Sequence, residues 1–189
     1  MNEVVALNVP KRMRLRVADF ALLDEAGAFA GYRKTELIDG EVLTMNAQHR
    51  PHMYAKGEFA FRLRLALQAI GSSLYVGMEG SVSLSDHDLP EPDIILTSEP
   101  IGDGPVPGAS VALLVEIADT TVAFDLGRKA TIYAAGGVPE FWVVDLPART
   151  IHQHWAPVDG AYLKTCIVPL GETIAAATIP GLSIETGLN

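Results

Sequence analysis

Residues 111–118, Val-Ala-Leu-Leu-Val-Glu-Ile-Ala, constrain this chain more than any other stretch. Alternation along a strand would send successive side chains to opposite faces, yet both sets are apolar here except at Glu116. That pattern suits a strand covered on both faces, hence a central one. A strand of this kind needs neighbours on either side and helices over it, which points to a mixed α/β or α+β domain. Glu116 is then the residue that most needs a partner. An unpaired carboxylate inside such a strand costs several kcal/mol, so it requires a cation or a metal ion, unless the strand ends there and the side chain emerges into solvent.

The flanking sequence supplies the neighbours. Residues 17–30 carry apolar side chains at helical spacing, closed by Gly27 and Gly31. Residues 36–45 alternate around Asp39-Gly40, a dipeptide that favours a tight hairpin because both central residues accept positive φ. The clearest helix is 51–70, with Phe59, Leu63, Leu67 and Ile70 on one stripe and His52 and Lys56 at the N-terminal end of that stripe. Strands are expected at 74–84, 93–97, 141–145, 150–155 and 161–168, a proline-rich loop at 102–108, and a helix at 124–135 stopped by Gly136-Gly137 and Pro139. No repeat, low-complexity tract or linker divides the sequence. The expectation is one domain over residues 1–189.

Charge is distributed unevenly. The net charge of 189 residues is -9, but residues 1–70 hold ten Lys/Arg against eight Asp/Glu, and the remainder four against fifteen. Between Arg64 and Arg128 lie 63 residues with no Lys or Arg and ten carboxylates. An acidic chain argues against a dedicated electrostatic binder of nucleic acid, whose affinity for phosphates rests on Lys and Arg. An enzyme that uses metal cations as the bridge is not excluded. The lone cysteine, Cys166, cannot form an internal disulfide or a cysteine metal cage, and with no export segment or membrane span read from the sequence the expected setting is the cytoplasm.

Several side chains could carry chemistry. Asp93 follows Pro92 and opens a strand, and two acids at the ends of neighbouring strands, Asp93 and Glu116, are a standard way to hold Mg²⁺. Lys129 has two readings. Spacing favours an i,i+4 ion pair with Asp125; the alternative is an ammonium beside the two carboxylates. His52 is either a hydrogen-bonded, partly buried histidine or a site residue, and Glu36 faces either the site or solvent. His152 and His154 share one face of a strand, but with no third ligand in view they read as surface residues. Gly102-Asp103-Gly104 does not lead into a helix and so is no phosphate-binding loop. Neither a Gly-x-Ser-x-Gly elbow nor a histidine partner for Cys166 supports nucleophilic hydrolase chemistry.

Taken in order, Glu36-Leu37-Ile38-Asp39-Gly40-Glu41, His52, Glu91-Pro92-Asp93-Ile94, Val115-Glu116-Ile117-Ala118-Asp119-Thr120, Asp125 with Lys129, Tyr133-Ala134, and residues 137–145 resemble the Uma-type family of putative restriction endonucleases. That family is placed in the PD-(D/E)XK nuclease superfamily. The matching order covers about residues 14–162. The resemblance implies a restriction-endonuclease-like core, a central mixed sheet flanked by helices with acids on adjacent strands. It implies that Asp93 and Glu116 are the paired acids. In the superfamily a lysine stands two residues after the second acid; here that place is Ala118, and Lys129 in the next helix occupies the position from which the family supplies its lysine. Glu36 and His52 match recurring family positions. Two departures stand out: Met45-Asn46-Ala47 where the family often has Met-Ser-Pro, and Glu79 where glutamine is common.

These observations converge on a Mg²⁺-dependent endonuclease (Mn²⁺ a possible substitute) that hydrolyses DNA phosphodiester bonds. Asp93, Glu116 and the carbonyl of Ile117 would hold the metal, Lys129 would position water or contact the phosphate, and Glu36 and His52 would shape the site. Arg50, Lys56, Arg62 and Arg64 on the long helix offer a cluster for a nucleic-acid backbone, or an ordinary solvated face. The alternatives are a non-catalytic nuclease-like module for binding or dimerisation, and a metal-dependent nucleotide phosphohydrolase. A homodimer is the prior for a soluble chain.

Overall fold

The computed structural model describes residues 12–45 and 48–188; Lys11 of the basic lead-in and Asn46-Ala47 after the hairpin lie outside them. In chain order the elements are α1 (Val17–Glu25), β1 (Thr35–Ile38), β2 (Glu41–Thr44), α2 (Arg50–Ala69), β3 (Tyr75–Met78), β4 (Val82–Ser83), β5 (Ile94–Thr97), β6 (Val106–Pro107) and β7 (Val111–Ala118). A helical crossover follows: α3 (Val122–Phe124), a π-helical turn (Asp125–Lys129) and α4 (Ala130–Ala135). The chain continues through β8 (Glu140–Asp145), β9 (Thr150–Val158), β10 (Ala161–Pro169), β11 (Thr173–Ala175) and β12 (Ser183–Glu185).

Six strands form the main sheet in the order β10-β9-β8-β7-β5-β3. The doubly apolar strand is central in it, antiparallel to β5 and parallel to β8. A parallel pair needs a crossover, and the α3–α4 helical segment supplies it. On one face Leu113, Val115 and Ile117 pack with Phe59, Leu63 and Leu67 of α2 and with Ile174 and Ile184 of the C-terminal hairpin. On the other, Leu114 and Ala118 pack with Ile132 and Tyr133 of α4 and Ile38 of the first hairpin. Two apolar layers on one strand are what its unbroken hydrophobic run requires. The first hairpin turns at Asp39 (φ 52°) and Gly40 (φ 72°), the pair of left-handed residues that a two-residue turn of this twist demands.

Four expectations need correction. The first helix stops at Glu25, before Gly27 takes φ 76°. The strand expected over 74–84 breaks into β3 and β4 because Glu79 adopts φ 54°, a left-handed conformation that strand geometry does not accommodate. Residues 106–107, expected in a loop, pair in parallel with β4. The hairpin of β11 and β12, unanticipated in the sequence, covers the α2 face of the sheet. His154 is also not a plain surface residue: its ring is half-buried, stacked on Phe141 at 6.0 Å, and burial lowers its pKa.

Glu140 ties the C-terminal segment to the sheet. Fully buried at the start of β8, its Oε1 accepts from Trp142 Nε1 (2.7 Å), Gln153 Nε2 (2.8 Å) and the Ala177 amide (3.0 Å), and its Oε2 from the Thr178 amide and hydroxyl (both 2.8 Å). A glutamine at this place would turn one acceptor into a donor facing other donors. Hydrogen bonds to charged groups contribute about 1.5 to 3 kcal/mol, so Glu140→Gln is expected to lower stability by about 2 kcal/mol. Urea unfolding measures it; a loss under about 0.5 kcal/mol would contradict this assignment. No described helix is long and apolar enough to cross a membrane.

Candidate active site

Register brings the acids together. In the β5–β7 pair Ile94 lies opposite Val115, and in the β3–β5 pair Met78 lies opposite Ile94. Each ladder, continued by one residue, sets Asp93 opposite Glu116 and Glu79 opposite Asp93. The Glu79 amide donates to the Asp93 carbonyl at 3.3 Å. Directly opposed residues of an antiparallel pair share a face, about 4.5 to 5.5 Å apart at Cβ. Asp93 and Glu116 therefore belong to one row on one face, as two acids with a common task must.

Asp93 is buried, and the groups around it come from α2, from β7 and from the segment just before α2. Its Oδ2 accepts from His52 Nε2 (3.1 Å) and from the Ile117 amide (2.9 Å), and its Oδ1 from Gln48 Nε2 (3.2 Å), with the Lys56 ammonium 3.9 Å away. Burial alone would raise the Asp93 pKa, but the His52 and Ile117 hydrogen bonds outweigh it and hold the carboxyl below its ordinary value. The first turn of α2 thus places His52 beside Asp93. Ile117 takes part through its amide nitrogen, where a carbonyl ligand was anticipated.

Glu116 has the opposite environment. Its Oε1 accepts from Lys129 Nζ at 2.9 Å and from the Tyr133 hydroxyl at 2.6 Å. Burial, opposed by Lys129 and reinforced by the nearby carboxylates of Asp125, Asp93 and Glu36, pushes its pKa up to about 8. Lys129 is 1% exposed, and its ammonium lies 3.2 Å from Glu36 Oε2 as well. Burial opposes its charge, but Glu116, Glu36 and Asp125 more than compensate and hold the ammonium above its ordinary pKa. Tyr133, fully buried, has its pKa raised by burial and by Glu116, and so remains a hydrogen-bond donor.

The local fold explains this convergence. Lys129 closes the π-helical turn and Tyr133 follows four residues later in α4, so both reach Glu116 from one side of the helix. π-turns recur at functional sites because the extra residue reorients the side chains around it. The anticipated Lys129–Asp125 ion pair does not form; Asp125 accepts instead from Thr121 Oγ1 at 2.6 Å. Glu36, on β1, is fully buried with its carboxylate between Lys129 and Lys34, whose Nζ is 3.5 Å from Oε1.

Asp93 with His52 and the Ile117 amide, and Glu116 with Lys129 and Glu36, thus form two hydrogen-bonded groups that strand register sets side by side. Sequence reasoning missed Tyr133, Lys34 and Gln48 here, and placed Lys56 on the inward stripe of the long helix without assigning it to the site. Signals existed for three: Tyr133 is i+4 from Lys129, Lys34 is two residues from Glu36 on an extended segment, and Lys56 is i+4 from His52. The anticipated basic face of α2 is not assembled as such. Lys56 points into the site, Arg62 is engaged by Glu58 and the Glu185 carbonyl, and Arg64 by the Val76 carbonyl.

The donor set suits a hard divalent cation in kind, since Asp93 and Glu116 offer carboxylate oxygens and Glu116 Oε2 has no hydrogen-bond partner among the described residues. Among those residues, however, no three His, Cys, Asp or Glu side chains stand ready to share one ion. Two carboxylates can suffice for Mg²⁺, which characteristically binds through one or two carboxylates and completes its shell with water and substrate phosphates. A wide cleft of about 1010 Å³ lies on the far side of Arg128, where Arg12, Arg14 and Arg128 are neutralised by Asp39 and Glu41. It does not contain the acids.

Comparison with known proteins adds three findings. A family model described as Uma2, putative restriction endonuclease, matches residues 18–187. No curated protein matches. Among solved structures, a putative nuclease belonging to DUF820 from Anabaena variabilis is similar in fold, with a TM-score of 0.61 at 15% identity, over 82% of this chain and 88% of that one.

Proposed function

The chain belongs to the Uma2 family of putative restriction endonucleases, and from that premise we propose that it is a Mg²⁺-dependent endonuclease hydrolysing DNA phosphodiester bonds at the Asp93–Glu116 pair. The observation that carries this reading is the opposition of the two acids: neighbours in one row, one held ionised by His52 and the Ile117 amide, the other buried against Lys129 with its proton affinity raised. Paired titratable groups whose environments push their pKa values apart are characteristic of acid–base sites.

Asp93 and Glu116 would hold the divalent ion. Bound there, the ion would polarise the scissile phosphate and lower the pKa of an attacking water. The protein's own part is positional and electrostatic. His52 and the Ile117 amide fix the Asp93 carboxylate. Lys129 and Tyr133 orient Glu116 through Oε1, leaving Oε2 without a hydrogen bond from the described residues. Glu36 helps keep the Lys129 ammonium in place, and Glu116 would hold the ion as its carboxylate. Lys34 and Lys56 add positive charge beside an otherwise acidic row.

A second reading, a nuclease-like fold retained for binding, is favoured by the lack of three convergent ligands among the described residues. One experiment separates them. Purified protein is incubated with supercoiled plasmid, single-stranded DNA, RNA and nucleotides, each with Mg²⁺, with Mn²⁺ and with EDTA. Plasmid cleavage that needs a divalent ion and disappears in Asp93→Asn supports the endonuclease. Hydrolysis of nucleotides alone would move the substrate to a phosphohydrolase, and absence of any turnover with DNA retained in a mobility shift would favour the binding module.

A further inference from the structure

Lys56 is the cation of this site that its main network does not use. It follows His52 by one turn of α2, and its side chain is only 11% exposed. The ammonium is bonded to Gln48 Oε1 at 2.7 Å and to Glu79 Oε1 at 2.5 Å, and stands 3.9 Å from Asp93 Oδ1. Lys129, by contrast, is enclosed between Glu116 and Glu36 and has no path outward. Of Lys56's partners, Gln48 and Glu79 both reach solvent, and Glu79, its side chain 47% exposed, is the carboxylate that does so. Glu79 is also held in the left-handed conformation, at the break after β3, with its amide on the Asp93 carbonyl. A solvent-facing carboxylate therefore covers an inward-facing ammonium next to the first acid.

Resting on the endonuclease reading, we propose that Lys56 is a phosphate-contacting residue of the site and that Glu79 is its exchangeable counterion, displaced when a nucleic-acid phosphate enters. A phosphate oxygen in place of Glu79 Oε1 keeps the ammonium paired and keeps its hydrogen bond to Gln48. The exchange is feasible because the half-exposed Glu79 is rehydrated as it leaves and the phosphate takes over the pairing, whereas a buried ammonium left without any anion is costly. The Glu79 carboxylate, 2.5 Å from the Lys56 ammonium, competes with phosphate for it. Glu79 thereby sets the threshold of substrate affinity without taking part in bond cleavage.

The test is binding of a fluorescein-labelled DNA duplex, followed by anisotropy in Ca²⁺ to hold cleavage back, over a series of salt concentrations. Glu79→Gln is expected to tighten binding about fivefold to tenfold and to lower KM with little change in kcat, because one competing anion is gone. Lys56→Gln should weaken binding about tenfold or more and reduce the slope of log affinity against log salt by about 1, as loss of one phosphate contact does. In the Lys56→Gln background, Glu79→Gln should change nothing further. Lys56→Arg, which keeps the charge, should retain most of the affinity and so distinguishes a lost contact from a lost fold. Weaker metal-dependent binding or lower kcat in Glu79→Gln would overturn the proposal and make Glu79 a third metal ligand; tightening that persists without Lys56 would overturn it as a general charge effect. Wild-type protein that cleaves DNA while Glu79→Gln fails to tighten binding defeats this inference alone. Wild-type protein that neither binds nor cleaves DNA defeats the endonuclease reading as well.

Discussion

Glu116→Gln is expected to lower metal-dependent DNA cleavage by about 10³-fold or more, corresponding to about 4 kcal/mol of lost transition-state stabilisation, and to abolish the rise of activity with pH that the unaltered protein should show. The side chain keeps its shape and can still accept from Lys129 and Tyr133, so the loss isolates the charge. Direction on the pH axis follows from the environment. Burial pushes the Glu116 pKa from 4.5 up to about 8, so a proton must leave before a cation can bind, and metal affinity climbs with pH until about 8 and then levels. Stability without metal runs the other way. Between about 4.5 and about 8 the folded protein retains a proton that the unfolded chain has released. The stabilisation contributed by this group is therefore complete below the lower value and is lost as pH rises through the upper one. Melting curves in EDTA should shift downward across that window, and Mg²⁺ should offset the shift at its alkaline end. Retention of cleavage within tenfold in Glu116→Gln, or a flat pH profile in the unaltered protein, would remove Glu116 from the proposed metal pair.

What the sequence made legible follows the physics of its strongest patterns. The apolar run of β7 announced a doubly covered central strand, and it made Glu116 conspicuous because a carboxylate there had to be answered. Asp39-Gly40 announced its turn for an equally local reason, the shared need for positive φ. The answer to Glu116 was harder to see. Its ammonium comes from Lys129, thirteen residues on, but i,i+4 spacing pointed Lys129 at Asp125. The π-turn overrode that spacing, and no residue in Asp-Leu-Gly-Arg-Lys signals a π-turn by itself. The stretch of 63 residues without Lys or Arg holds ten carboxylates and no cation of its own to match them. Its key carboxylates are in fact matched by lysines from outside it, Lys34 and Lys56 before and Lys129 after. Pairings of that sequence separation are set by register between strands, which alternation alone does not encode. Glu79 shows the reverse failure: a residue that continues an alternating pattern on paper ends the strand in space. The short hairpin of β11 and β12 has only three residues per strand, too few for a period of two to stand out.

Lys129→Met should be the most destabilising single replacement in the site. The ammonium is nearly inaccessible, 2.9 Å from Glu116 and 3.2 Å from Glu36, and methionine approximates its volume while removing its charge. Deleting one partner of a buried ion pair costs about 3 to 5 kcal/mol, chiefly because the remaining charge is left without compensation. Glu36 keeps Lys34 at 3.5 Å as a second cation, so the middle of that range is expected, by urea unfolding above about pH 8 where Glu116 is ionised. The penalty belongs to the orphaned acids rather than to the lysine, which makes a second measurement decisive. In the Glu116→Gln background the same Lys129→Met change should cost at least about 1.5 kcal/mol less, a coupling of the size found between residues of one buried network. Acidification should likewise shrink the penalty, since protonating the stranded carboxyls removes the uncompensated charge. A cost below about 1 kcal/mol, or strict additivity between the two replacements, would mean that Lys129 fills space in this core without organising its charges, and the proposed metal pair would lose the group that orients Glu116.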